Sequence, residues 1–308
     1  MPPPPMISDT SDLRELMCAL LPGLAISSAP SKSGQRVVYF CTFDASKAPK
    51  SLVQKGEVVL KVSQCLSAQQ IAYLEREIDV LKSLKSDFYP EHYSKYTFTH
   101  DPRTRDILAE RLFVTLEQRI DAVPLNDVVA NYKSPRQALV LLSQLIEALE
   151  PLWLHKQKLV HRDLKPANIL IRPNGKVAII DLGIVREEGS VGVTNSFMVA
   201  GPCTPPYASP EQATNDKRNI SFKSDFFSLG IIVYELISGV SPFLTEKKDA
   251  MSVLHSVVNH SPRTLLDVSG APDSVSAIVE KMMQKEPYRR HRTVDILKTE
   301  IKNAIATL

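Results

Sequence analysis

His161-Arg162-Asp163-Leu164-Lys165-Pro166-Ala167-Asn168, followed further on by Asp181-Leu182-Gly183, is the stretch whose reading decides this chain. Between the two runs, residues 168–171 and 176–180 alternate as strands around Pro173-Asn174-Gly175, the signature of a hairpin. Asn168 and Asp181 flank that hairpin, which can hold an amide and a carboxylate at a fixed separation. Both are oxygen donors suited to a hard cation. Asp163 and Lys165, two residues apart on a loop, bring a carboxylate and an ammonium to one place.

Working outward, Val58-Val59-Leu60-Lys61-Val62 sets a lysine inside an apolar strand. A buried ammonium without an anion is costly, so the strand predicts anionic partners near Lys61. The helical period over residues 69–84, with Ile71, Leu74, Ile78 and Leu81 on one side, carries two acidic candidates, Glu75 and Glu77. Glu77 lies four residues before Leu81 on that side, and Glu75 points about 160° away on a regular helix. This set of groups suits phosphoryl transfer from ATP. That chemistry needs Mg²⁺ across the β- and γ-phosphates, a carboxylate that orients an incoming hydroxyl and accepts its proton, and cations against the developing charge.

In motif content and order, from about residue 33 to residue 297, the chain resembles the protein-kinase family, in its bacterial-type serine/threonine branch. The resemblance implies an α+β bilobal fold, with a small β-rich lobe carrying one regulatory helix and a larger, mostly helical lobe. It implies ATP and two Mg²⁺ as cofactors, Asp163 as catalytic base, Asn168 and Asp181 as magnesium ligands, and Lys165 on the γ-phosphate and substrate hydroxyl. A lysine at that last position resembles serine/threonine specificity. Lys61 would meet the α- and β-phosphates and pair with Glu77. Val59, where the family usually has alanine, would roof the adenine. Leu116 would be the gatekeeper, the backbone of residues 117–119, from Glu117 to Arg119, would bond the adenine, and Leu170 belongs to the same ATP-binding set. The phosphate-covering loop is the departure: residues 27–37 hold one glycine, Gly34, before Val37, where the family has three. Glycine there lets backbone N–H groups approach phosphates closely.

Past Gly183 the resemblance implies an activation segment with Ser190, Thr194 and Ser196, running to Gly201-Pro202-Cys203-Thr204-Pro205-Pro206-Tyr207-Ala208-Ser209-Pro210-Glu211. Thr204 would bond Asp163 and Lys165, and Glu211 would pair, buried, with Arg290. Arg162, before the base, implies control by phosphate on the segment, and Cys203 replaces the commoner glycine. Leu182 stands for the usual phenylalanine of the metal motif and packs rather than coordinates. Asp225 would brace the His161 and Arg162 backbone. Gly230 would permit close helix packing, and Gly239 would end the helix.

The chain has 308 residues, 44% hydrophobic and 23% charged, enough for two domain-sized units. Its composition shifts after residue 120, giving a partition into 1–26 (an extension with a short helix), 27–119, 120–303 and 304–308. The formal net charge of +3 is too small to imply nucleic acid or membrane as a partner. Four scattered cysteines make no metal knuckle. The most apolar run, residues 226–237, is interrupted by Ser228 and Glu235 and reads as a buried helix. With no signal-like start, a cytoplasmic location is expected. The expected partners are a protein substrate and, for autophosphorylation, a second copy. Two rival readings stand beside this one: a small-molecule phosphotransferase, which shares the Asp…Asn and Asp-x-Gly arrangement, and a non-catalytic pseudokinase, suggested by the glycine-poor loop.

Overall fold

A computed structural model of the chain describes residues 10–33, 36–84, 86–181, 186–187, 203–244 and 249–308. The chain divides into two units, Met1–Ile120 and Asp121–Leu308, and is α+β.

The first unit is an antiparallel sheet with a helix on each face. Its elements are α1 (Thr10–Leu20), β1 (Leu24–Ile26), β2 (Ser31–Ser33), β3 (Arg36–Phe43), α2 (Lys50–Val53), β4 (Val58–Cys65), α3 (Ala68–Leu84), β5 (His92–His100) and β6 (Ile107–Gln118). The strand order is β1-β3-β4-β6-β5, with β2 paired to β3. Side chains alternate faces along a strand, so register decides which side each residue serves. Leu60 and Val62 of β4 lie opposite Leu116 and Val114 of β6. Together with Tyr39 and Cys41 they pack on Leu13, Leu16 and Met17 of α1. The residues expected to form a separate extension thus supply part of this unit's core. On the other face, Cys65 and Phe113 pack against Ile71, Leu74 and Ile78 of α3. That helix opens on a reciprocal cap: Ser67 Oγ accepts from Gln70 N at 3.2 Å, and Gln70 Oε1 accepts from Ser67 N at 3.3 Å.

The second unit runs β7 (Val123–Pro124), α4 (Pro135–Trp153), β8 (Leu159–Val160), β9 (Ile169–Ile171), β10 (Val177–Ile179), β11 (Arg186–Glu187), α5 (Pro210–Ala213), α6 (Phe222–Ser238), α7 (Ala250–Asn259), α8 (Leu265–Ser269), α9 (Asp273–Met282) and α10 (Val294–Thr307). Helix α4 starts where the sequence signals it, with Ser134 Oγ accepting from Gln137 N and proline at the first position. Helix α6 is buried along most of its length and stops at Gly239, whose φ of 75° a side chain would resist. A Cβ on Gly230 would come within 2.8 Å of Met283 Cγ and 3.0 Å of Met282 Cβ, so α6 and the end of α9 meet backbone to side chain. The expected hairpin is β9 and β10, turned at Gly175 with φ 77°.

Candidate active site

The hairpin and the loop before it converge on Asp163. Ile180 N donates to Asn168 O at 3.0 Å, closing the hairpin and bringing Asp181 alongside Asn168. Asn168, 3% exposed, spends its Nδ2 on Asp163 O at 2.9 Å and on Asp163 Oδ2 at 3.3 Å. That turns its Oδ1, the better cation ligand, the other way. Lys165 Nζ donates to Asp163 Oδ2 at 2.7 Å and to Thr204 Oγ1 at 2.8 Å. The Thr204 hydroxyl and amide both donate to Asp163 Oδ1, at 2.6 and 3.1 Å. Carboxylate, ammonium and hydroxyl therefore form one closed set. Cys203, next to it, has its thiol pushed up to about 11 by burial and by the charge of Asp163, so it stands as a thiol rather than a nucleophile.

Two residues bordering the set hold left-handed backbone without being glycine: Arg162 at φ 71° and Asp181 at φ 65°. Such conformations cost about 1–3 kcal/mol each and persist only where the surroundings impose them. At Arg162 the imposing group is Asp225. Fully buried at the start of α6, it accepts from His161 N and Trp153 Nε1 through Oδ2, at 2.9 and 2.8 Å, and from Arg162 N through Oδ1, at 2.9 Å. Burial pushes its carboxyl up in spite of these donors. Gln212 Nε2 adds a bond of 2.7 Å to Arg162 O. Further out, Arg290 forks onto Glu211 at 2.7 and 2.8 Å. Its remaining N–H groups reach the carbonyls of Gln284, Lys223 and Lys285. Ser224 also donates to Glu211, at 2.6 Å, so both charges are buried with their bonding complete.

In the first unit, register rearranges the expected set. Lys61 pairs with Thr115 across β4 and β6 and with Val38 across β3, and Val59 lies opposite Glu117 and Phe40. One face therefore carries Val38, Val59, Lys61, Thr115 and Glu117. Leu116 and Val37 belong to the opposite face, packed with the α1 core. Both expectations are corrected here: a strand has period two, and each assignment was displaced by one residue. Lys61, 9% exposed, donates to Glu117 Oε2 at 2.7 Å. Glu77 takes Arg36 instead, with both its oxygens held by the guanidinium. The expected Lys61–Glu77 pair is thus replaced, among the described residues, by two others. Glu75, the rival, pairs with Lys95 at 2.7 Å on the surface. Arg119 forms an ion pair with Glu57 and stacks over Phe40, and Leu170 sits half-buried in β9 opposite Ala178. Gly34, Leu182, Ser190, Thr194 and Ser196 lie outside the described residues.

The family model described as protein kinase domain matches residues 50–301. The chain belongs to the protein kinase family. Serine/threonine-protein kinase PknB of Mycolicibacterium smegmatis is 32% identical over 186 residues, covering 59% of this chain and 29% of that protein. Serine/threonine-protein kinase PrkC of Bacillus subtilis is 29% identical over 257 residues, covering 83% of this chain and 37% of that protein. The chain thus spans about a third of the length of these curated relatives.

Three residues in the two sets of contacts described above escaped the sequence reading. Trp153 braces Asp225, and a buried indole N–H near a helix end is a signal that it wants an acceptor. Arg36 and Thr115 needed the strand register, which no single strand's pattern contains.

Proposed function

We propose that the chain transfers the γ-phosphoryl of Mg-ATP to serine or threonine hydroxyls of proteins. The observation that carries this reading is the closed Asp163–Lys165–Thr204 set beside Asn168. Asp163 would orient the incoming hydroxyl and take its proton. Lys165, already neutralising that carboxylate, would meet the charge that builds on the transferred group. The nucleotide and its metal supply the phosphoryl group and the neutralising charge when bound. Asn168 Oδ1 and the Asp181 carboxylate would hold magnesium, and Lys61 the phosphates. Among the described residues no group of three or more His, Cys, Asp or Glu could hold a metal. Magnesium does not need one, since it keeps waters and phosphate oxygens as most of its ligands.

The regulatory part of the reading is that phosphate on Ser190, Thr194 or Ser196 recruits Arg162 and orders the segment, with autophosphorylation between two copies as its source. Among the described residues no helix is long and apolar enough to cross a membrane. We assign a cytoplasmic site of action and a protein partner. The test is incubation of purified protein with labelled ATP, Mg²⁺ and a generic protein acceptor, followed by mapping of phosphosites by mass spectrometry. Phosphoserine or phosphothreonine that disappears in Asp181→Asn is the expected result. Label found on a metabolite and never on protein, or retained in Asp181→Asn, overturns the reading.

A further inference from the structure

Four charges of the first unit are wired in two pairs that the family pattern does not imply. Glu117 is 3% exposed at the end of β6 and lies 2.7 Å from Lys61 Nζ through Oε2, while its Oε1 accepts the Thr115 hydroxyl at 3.2 Å. Both of its oxygens are therefore fixed by groups on its own sheet face. Burial pushes this carboxyl up, but the Lys61 ammonium, with Arg36 farther off, outweighs that and holds it below the usual range. His92, its cross-strand neighbour on β5, is pushed down by burial and has both ring nitrogens buried without a hydrogen bond among the described residues. A neutral imidazole leaves the charge of Glu117 for Lys61.

Glu77 is engaged elsewhere. Arg36, at the start of β3, forks onto both its oxygens, and the two side chains are only 11% and 6% exposed. A guanidinium matches a carboxylate with two parallel bonds, whereas an ammonium meets it as a point charge. Moving Glu77 to Lys61 would break that fork.

We propose that Glu117 is the positioning residue for Lys61: its carboxylate aims the ammonium at the nucleotide phosphates, while Arg36 and Glu77 serve as a separate clamp tying α3 to β3. The proposal rests on the Mg-ATP reading of the site. It follows that a position on β6 facing the base and phosphates carries an acid here, and that ATP affinity depends on this acid more than on the α3 glutamate.

The experiment measures Mg-ATP affinity by calorimetry, and KM and kcat by phosphoryl transfer, in the wild type, Glu117→Gln, Glu117→Asp and Glu77→Gln. Loss of a charge-assisted bond to Lys61 is expected to weaken Mg-ATP binding about tenfold in Glu117→Gln, read as KM rather than kcat. Glu117→Asp should recover part of this, and Glu77→Gln should show the smaller loss. Acylation of Lys61 followed by mass spectrometry gives a second readout. Without its carboxylate the ammonium deprotonates at lower pH, so labelling at pH 7.5 should speed up in Glu117→Gln and not in Glu77→Gln. Should Glu117→Gln fail to fold, Glu117→Asp carries the same comparison. A loss in Glu77→Gln equal to or greater than that at Glu117 overturns the proposal alone. Wild-type protein that takes up no Mg-ATP overturns the kinase reading and this proposal with it.

Discussion

Thr204 stands between two groups of opposite charge, donating its hydroxyl to Asp163 while accepting from Lys165. Thr204→Val keeps the shape and removes both bonds. General-base steps contribute about 10²–10⁴-fold, so a misaimed Asp163 should cost about tenfold or more in kcat with little change in ATP affinity. Steady-state kinetics with ATP and acceptor varied in turn separates the two. In the same way, Asp163→Ala should abolish transfer and leave Mg-ATP binding measurable by calorimetry. His92 gives a pH prediction. Its folded pKa lies below the unfolded value of about 6.5, so the unfolded chain binds more protons and stability falls as pH drops through that value. Asp225 and Glu235, pushed up by burial, contribute with the opposite sign, so the wild-type slope alone decides nothing. The comparison does: His92→Asn should flatten the decline of the urea midpoint between about pH 7.5 and 5.5 relative to wild type. At this scale the sequence was legible wherever a loop fixes neighbours close along the chain, as at Asp163, Lys165 and Asn168. It was not legible at Glu117, whose partner is chosen by how strands slide against one another, nor at Arg36, whose partner Glu77 comes from helix α3.

The elements owe their positions to a few contacts that have no slack. Gly230 is one: a methyl group there would press on Met282 and Met283, and Gly230→Ala should destabilise the second unit by about 1–3 kcal/mol, measured by chemical denaturation. The other is the tie between α5 and the turn after α9. Arg290→Leu would leave Glu211 charged, buried and without its counter-ion, a loss of about 3–5 kcal/mol. The double variant Arg290→Leu with Glu211→Leu should recover much of it, because an apolar pair does not have to be desolvated. Strands β3, β4, β6 and the β9–β10 hairpin were readable from β-branched and aromatic runs bounded by turn residues. Strand β5 was not, since His92–His100 mixes lysine, histidine and serine with the aromatic residues that pack inward, Tyr93, Tyr96 and Phe98.

Over the whole molecule, each unit carries its own core, and in the first that core begins at α1. Leu13, Leu16 and Met17 are buried against the sheet, each worth about 1.5–3 kcal/mol in apolar burial. Leu16→Ala alone should cost about 2–5 kcal/mol, which a thermal melt would register without touching any residue of the proposed chemistry. A short helix was expected here from the sequence, but its destination was not, because a short helix before a turn gives no sign of the surface it will cover. The match to the kinase family begins at residue 50, after α1 and the first three strands. A fragment trimmed to those limits would keep Lys61, Asp163 and Asp181, yet β4 would become an unpaired border and Leu60 and Val62 would face water. Such a product should be recovered as aggregate, its chemistry intact on paper and its scaffold missing one wall.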